Sequence, residues 1–445
     1  MAWNVNPVLV LTTAGLLCLL PSLAAQEASD QPQPFSERWN IHFQATSIGQ
    51  HHGGFPSLYE GDNSLPPQPE SRASLTATVF LAVRLGWHTD LVINPEIAGG
   101  RGFGLVTGIA GFTNGEIPRV SSATPTLYPA RAFLRTTWAL GAETESVENG
   151  MNQPAGAQPV RRFTAIVGKF AVTDYFDSNS YSHDPRKQFM NWALMYNGAW
   201  DYPADTRGYT IGAMEELATR NWSLRLAQTA EPTVANGPTF DTRIDKNRGD
   251  TVEVERRYHS GGHAGALRVL GFANREDAGT FREAMRPGGP PNLAATRRNG
   301  TLKYGFGVNL EQALTPDIGV FSRYGWSDGK TEAWAFTQID RSLSGGVSIQ
   351  GKLWKRGGDQ IGVAAVRNYL SGDQRSLLAA GGLGFIIGDG RLDRYRPESI
   401  VEAYYSWQAT KQFTLTGDFQ RVANPAYNHN RGPVSVLTLR VHWER

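Results

Sequence analysis

The chain has one cysteine in 445 residues, Cys18, and it lies inside an N-terminal apolar run. A framework of intrachain disulfides is therefore excluded. Beyond that run no stretch reaches the roughly 18 apolar residues that a membrane helix needs. The nearest, Leu377–Gly388 (LLAAGGLGFIIG), is too short and too rich in glycine. Mean hydropathy is −0.36, too polar for a bundle of membrane helices. Neither sign of charge dominates: the net charge is +2 and charged residues make up 19%. That balance points to neither nucleic acid nor a strongly acidic partner. There is no GxSxG and no HExxH. His51 and His52 are adjacent, which places them badly for one metal ion. GDGRLD at 388–393 lacks the ligand spacing and terminal Glu of a calcium loop. GGRGFG at 99–104 has the letters of a dinucleotide fingerprint but opens no amphipathic helix. No catalytic residue, metal or cofactor is expected.

Pro7–Ala25 (PVLVLTTAGLLCLLPSLAA) ends in small residues, and Ser22-x-Ala24 suits signal-peptidase cleavage near Ala24 or Ala25. Residues 1–25 thus read as a signal peptide, although MAWNVN carries no Lys or Arg. Leu17 before Cys18 argues against a lipoprotein signal. Residues 26–38 are polar and read as a mobile periplasmic tail, leaving 39–445 as one body. Exported without disulfides, it must draw stability from a large hydrogen-bonded structure.

What the chain does have is glycine (49), aromatics (11%) and short alternating segments. In WNIHFQATSI, Trp39, Ile41, Phe43 and Ala45 oppose Asn40, His42, Gln44 and Thr46. The same period of two recurs in 72–85, 130–140, 251–258, 303–311, 401–409, 413–421 and 437–444. It gives strands with one apolar and one polar face. Short connections near 86–89, 218–221, 260–264, 315–317, 354–358 and 410–412 alternate with long ones at 49–71, 99–128, 173–205, 230–249, 276–299, 328–340, 370–397 and 425–431. Residues 142–160 form a longer member of the short series. Eight long and seven short connections join sixteen strands. Strict alternation of short turns and long loops is the habit of transmembrane β-barrels. The expected fold is all-β: a 16-stranded antiparallel transmembrane β-barrel with inward-folded loops forming a constriction.

The segment Thr173–Gly208 stands out. It separates the strand-like runs RRFTAIVGKFAV and YTIGAMEEL and holds a helical patch around Lys187–Tyr196. A loop this long is usually functional or disordered, and one so aromatic is unlike disordered chain. Trp192, Trp200, Tyr202, Asp201, Asp205, Arg186 and Arg207 crowd into it. Carboxylates beside Arg and Trp suit sugars, which offer hydroxyls to charged groups and C–H faces to rings. Glu96, Asp174, Asp177, Asp201 and Asp205 also leave open a hydrolytic carboxylate pair.

Several stretches carry a family resemblance. They are WNIHFQATSIGQHHGGFPSLYEGDNSL, INPEIAGGRGFG, NGEIPRV with PTLYPAR, VGKFAVTDYFDSNSYSHDPRKQFMNWALMYNGAWDYPADTRGYT, KYGFGVNLEQALTPDIGVFSRYGWSDG, AGGLGFIIGDGRL and VANPAYNHNRGPVSV. Together, and in this order, the sequence resembles the carbohydrate-selective porins (OprB-type) of Gram-negative bacteria. The resemblance implies a sixteen-stranded outer-membrane barrel, an eyelet of inward loops, and facilitated diffusion of sugars such as glucose. Two departures stand out. Arg445 ends the chain where the family has an aromatic residue, and the HFQATSIGQHHGGFPSLYEG opening marks a subgroup whose sugar need not be glucose.

On this reading Trp39, Trp138, Tyr304, Trp326, Trp407 and Trp443 tend toward aromatic girdles. Arg72, Arg84, Arg131, Arg135, Lys169, Glu253, Glu255, Arg257, Glu311, Arg323 and Glu402 face the lumen. The eyelet is expected to draw on Glu96, Arg101, Arg131, Arg135, Asp174, Asp177, Arg186, Asp201, Asp205 and Arg207, with Trp192, Trp200 and Tyr202 as an apolar slide. Expected partners are small carbohydrates and outer-membrane lipid, without nucleic acid, and the chain as monomer or homotrimer. The alternatives are an outer-membrane barrel hydrolase, a porin for other solutes, and a secreted sugar-binding β protein.

Overall fold

The computed structural model describes residues 37–86, 88–116, 123–286, 289–335 and 337–445. The expected signal peptide and residues 26–36 of the expected tail lie outside them. The first strands are β1 (Trp39–His52), β2 (Glu70–Gly86), β3 (Thr89–Gly100), β4 (Thr126–Ala139), β5 (Thr144–Val147) and β6 (Gly156–Pro159). Then come β7 (Arg162–Phe170), β8 (Thr210–Ala218), β9 (Trp222–Ala230), β10 (Arg248–Ser260), β11 (His263–Ala278) and β12 (Arg298–Thr315). The last are β13 (Ile318–Ser327), β14 (Arg341–Gln350), β15 (Gln360–Tyr369), β16 (Glu398–Gln408), β17 (Phe413–Ala423) and β18 (Val434–Glu444). All but β5 and β6 pair with their neighbours in one closed antiparallel barrel, which β18 seals against β1. Sixteen strands close it, as the alternation of connections predicts. Closure removes the edges of this sheet, so among the described residues no barrel strand is left as an edge.

Burial follows the sequence alternation with its sense inverted. In β18, Leu437 and Leu439 are exposed, while Thr438 and Arg440 between them are buried. Trp39, Trp138, Tyr304 and Trp407 are also exposed on the outer face. Trp39, Trp138, Trp407 and Trp443 sit at the short-turn end of their strands, and Tyr304 and Trp326 toward the long-loop end. Trp443 packs on Phe43 at 5.1 Å across the β18–β1 seam, just before Arg445. The amide N of Arg445 still bonds the carbonyl of Phe43 at 2.9 Å.

Three expectations change in detail. The helical patch at 187–196 is a single turn, Trp192–Met195, capped by the Asn191 side chain, which accepts from the amide of Ala193. Residues 142–160 are not a plain turn but contain the separate β5–β6 hairpin. Asn152 of that hairpin meets Asn94 at 2.7 Å, well inside β3, so the hairpin folds into the short-turn mouth. Lys169 is expected in the lumen, yet its register sets it opposite Ala132 and Ile211, both exposed. Its ammonium instead reaches Asp205 at 3.3 Å. Arg72, Arg84, Arg131, Arg135, Glu253, Glu255, Arg257, Glu311, Arg323 and Glu402 do turn inward.

The long loops fold into the barrel, and inward-facing acceptors hold them there. Glu402 of β16 accepts from the amides of Met190 and Asn191 at 2.6 and 2.9 Å. Glu398, one pleat pair above, accepts from Ala110 and Gly111 at 3.0 and 2.7 Å and from Ala426 at 2.9 Å. Glu311 of β12 accepts from the Ser180 amide at 2.7 Å, and Glu253 of β10 from Asp177 at 2.7 Å. Arg440 of β18 donates to the carbonyls of Pro185 and Gln188, both at 2.7 Å.

Glu402→Ala leaves two buried amides without acceptors, at about 1–3 kcal/mol each. The expected outcome is a barrel that still migrates as heat-modifiable on gels but conducts with larger, noisier currents. Unchanged currents from a folded variant would show that this contact does not hold the loop. Val269→Arg, on the outer face of β11, should cost about 2–4 kcal/mol in bilayers if it meets the midplane. Denaturant unfolding in vesicles measures it, and a cost near zero would place that face away from lipid.

Candidate functional site

The segment between β7 and β8, residues 171–209, crosses the barrel interior. Its path is pinned strand by strand. The Asp177 carboxylate accepts from the amide of Asn197 at 2.6 Å, from Asn309 Nδ2 at 2.7 Å and from Arg323 Nε at 3.2 Å. Arg323 also donates to the carbonyls of Leu194 at 2.9 Å and Ser182 at 2.6 Å. Asp201 accepts from Lys303 Nζ at 3.0 Å and from the amides of Trp334 and Ala335 at 2.7 and 3.0 Å. It thereby ties this loop to the one between β13 and β14. Asp205 accepts from the amides of Arg207 and Tyr209 at 2.9 and 3.2 Å, shaping the return into β8. Three of the expected site carboxylates are therefore scaffold.

The same holds for the expected apolar slide. Trp192, Trp200 and Tyr202 are at most 4% exposed. Trp192 stacks on Phe112 of the β3–β4 loop at 4.9 Å, and Tyr202 lies 5.6 Å from Trp192 and 5.4 Å from Trp200. A loop lodged in a lumen needs a core of its own, and these rings supply it. Side chains so covered do not meet a passing solute. Arg101 lies exposed just past β3, outside this packing.

The remaining expected residues gather where the loop root meets β3 and β4. Glu96 is the hub. Its carboxylate accepts from Thr78 Oγ1 at 2.5 Å, Arg186 Nη2 at 3.0 Å, the Tyr209 hydroxyl at 3.1 Å and the Tyr128 hydroxyl. Arg186 spans from Glu96 to Glu116, whose carboxylate it meets at 2.5 Å. Burial alone would lower the Arg186 pKa, but the two glutamates raise it well above the usual value, so it stays charged. Burial and then the Glu96 charge raise the Tyr209 phenol, which stays a donor. Arg131 grips Asp174 with two parallel bonds of 2.6 and 2.5 Å, and its guanidinium lies 5.2 Å from the Tyr209 ring. Arg207 stacks at 3.8 Å over Tyr128. Arg135 is engaged lower down, with Asp90 at 2.8 Å and the carbonyl of Asn152 at 2.9 Å.

Sequence reasoning missed Tyr128, Tyr209, Glu116 and Glu398. Glu398 shares the inward parity of Glu402, a signal that was there to be used. The two tyrosines stand singly at loop roots, where no local pattern marks them. Among the described residues no group of three or more His, Cys, Asp or Glu side chains is placed to hold a metal ion. The carboxylates of this cluster, Glu96, Glu116 and Asp174, are each engaged by a cation or a hydroxyl.

Comparison with solved structures places the fold. The chain is similar to OprB of Pseudomonas putida in its high-pH structure, at TM-score 0.68 and 15% identity, covering 92% of this chain and 94% of that one. It is also similar to the outer-membrane channel DcaP of Acinetobacter baumannii, at TM-score 0.51 and 8% identity, covering 92% and 97%. No curated protein sequence matches it. At such identities these structures speak to the fold alone. The model of the carbohydrate-selective porin family, OprB, matches residues 67–444, and this chain belongs to that family.

Proposed function

We propose that the chain passes small carbohydrates, mono- or short oligosaccharides, by passive diffusion through an eyelet at the root of the inward loop. The chain is a carbohydrate-selective porin of the outer membrane, and its family and fold are those of channels rather than enzymes. The observation that carries the finer reading is the Tyr128–Arg207 and Arg131–Asp174 cluster on the Glu96 hub. Arg131, Asp174, Arg186, Arg207 and Tyr128 are all partly exposed, whereas Glu96 and Tyr209 behind them are buried. Guanidinium and carboxylate groups exchange hydrogen bonds with sugar hydroxyls, and a ring face receives the apolar C–H face. Glu96 and Tyr209 act behind them as positioning residues, with Arg186 bridging Glu96 and Glu116. Because Arg131 is already paired with Asp174, a sugar must share it, which keeps binding weak and release fast.

Single-channel conductance of the refolded protein, titrated with mono- and disaccharides, tests this. Sugars should block the current, and Arg207→Ala should weaken the block about 2- to 10-fold, the worth of one ordinary hydrogen bond of 0.5–1.5 kcal/mol. Channels insensitive to every sugar would keep the barrel and sink the eyelet, leaving a porin for other solutes. Trp192→Ala should behave differently. It should cost about 3–5 kcal/mol of stability as a core truncation and leave the sugar block of surviving channels nearly unchanged. A selective loss of block in Trp192→Ala would return that ring to the solute path.

A further inference from the structure

Away from the eyelet, the wall formed by β9, β10 and β11 holds two carboxylates without donors. Glu231, one residue past β9, and Glu276, in β11, are both fully buried. All four of their carboxylate oxygens lack a hydrogen-bond partner among the described residues. Every other buried carboxylate described above is saturated by amides, hydroxyls or cations. Leaving two carboxylates unpaired in the same place is far costlier than burying one neutral polar group.

Strand register explains how they meet. Gly249 of β10 pairs with Thr229 on one side and with Asn274 on the other. Glu231 and Glu276 each stand two residues beyond those partners, on the inward face. Gly249 has no side chain to hold them apart. The Glu231 Oε1 atom lies 3.1 Å from where a Cβ on that glycine would sit, and Pro203 of the inward loop lies at 2.0 Å from it.

A third oxygen joins them. Asn274 is fully buried, and its side chain lies against Glu276. Its Nδ2 donates to the carbonyl of Asp201, which fixes the orientation of the amide. Its Oδ1 has no partner. An unpartnered amide oxygen next to a buried carboxylate, with a second unpartnered carboxylate close by, is an arrangement that a cation resolves. The nearest cation, Lys303, is already bonded to Asp201 at 3.0 Å. Three carboxylates against one ammonium leave two negative charges.

We propose that Glu231, Glu276 and Asn274 bind one divalent cation of the hard, oxygen-seeking class, with calcium as the fitting ion. The ligands are all oxygen, flexible in geometry and doubly negative as a set, which suits calcium better than a softer metal. The ion would lock the return arm of the inward loop, at Asp201–Pro203, to the barrel wall.

The test uses the full barrel, folded in detergent and washed with chelator. Calcium should raise its unfolding temperature, magnesium less so, and terbium should bind with tryptophan-sensitised emission. Glu231→Gln with Glu276→Gln should bind calcium at least about tenfold more weakly, since affinity follows ligand charge, and should lose the thermal shift. A folded wild-type barrel indifferent to calcium overturns the proposal, whether or not acid stabilises it through a proton shared by the pair. A double variant with an undiminished shift also overturns it, by placing the ion elsewhere. The wild-type measurement decides even if the variant does not fold.

Discussion

The structure depends on one contact, repeated: an inward wall carboxylate or amide oxygen receiving the backbone N–H groups of a loop turned into the barrel. A loop leaving water must find partners for its main chain, and the period-2 strand supplies acceptors at regular heights. Glu398 and Glu402 stand four residues apart on β16, about 13 Å at the usual strand rise. The upper one takes the β3–β4 loop at Ala110 and Gly111, and the lower one takes the β7–β8 loop at Met190 and Asn191. Phe112 and Trp192 stack where those two loops then touch. Farther in, Gln338 repeats the device, its Oε1 accepting from Ile386 and Ile387 at 2.8 and 2.9 Å. The loops thus hold one another as well as the wall.

This inverts the usual economy of a globular protein. The barrel's apolar strand faces look outward, and its interior is a polar lattice with one extended apolar core packed between the loops and the wall. Buried charges are costly unless paired and hydrogen-bonded, and nearly all of these are. Arg323, for instance, meets Asp177 and two carbonyls while only 2% exposed. Such saturation fixes the inward loops to the wall at many points.

How far the sequence foretold this follows from the range of each signal. Strand number and facing were legible because each strand writes its own alternation, and Val252, Glu253, Val254 and Glu255 need no partner to be read. Closure was legible because short and long connections alternate. The inward loop was legible as a region, since no surface loop needs so many rings. The role of each ring was not. Trp192, Trp200 and Tyr202 suggested a lining because aromatic and solute-facing coincide in many binding sites, whereas a loop sunk in a lumen first has to build its own core. Tyr128 and Tyr209 stayed hidden because their meaning comes from meeting Glu96 across three strands. Glu231 and Glu276 are 45 residues apart, and only register, with a glycine between them, brings them together.

On the eyelet proposed above, the division between held and half-free groups would bear on selectivity. Around the loop root, Glu96 and Tyr209 are buried and hydrogen-bonded to each other, while Arg131, Asp174, Arg186 and Arg207 keep part of their surface open. Arg131 and Asp174 are paired, so their fields largely cancel beyond a few ångströms. Arg207 lies on Tyr128 and has a buried Nη1 without a hydrogen-bond partner. A neutral, hydroxyl-rich solute gains from such an arrangement because each group can lend a bond without giving up its own partner. A strongly charged solute gains less, since it would have to break the Arg131–Asp174 pair to claim either charge. On that proposal, discrimination would come from what these groups already hold, and it would let a channel prefer sugars while binding none of them tightly.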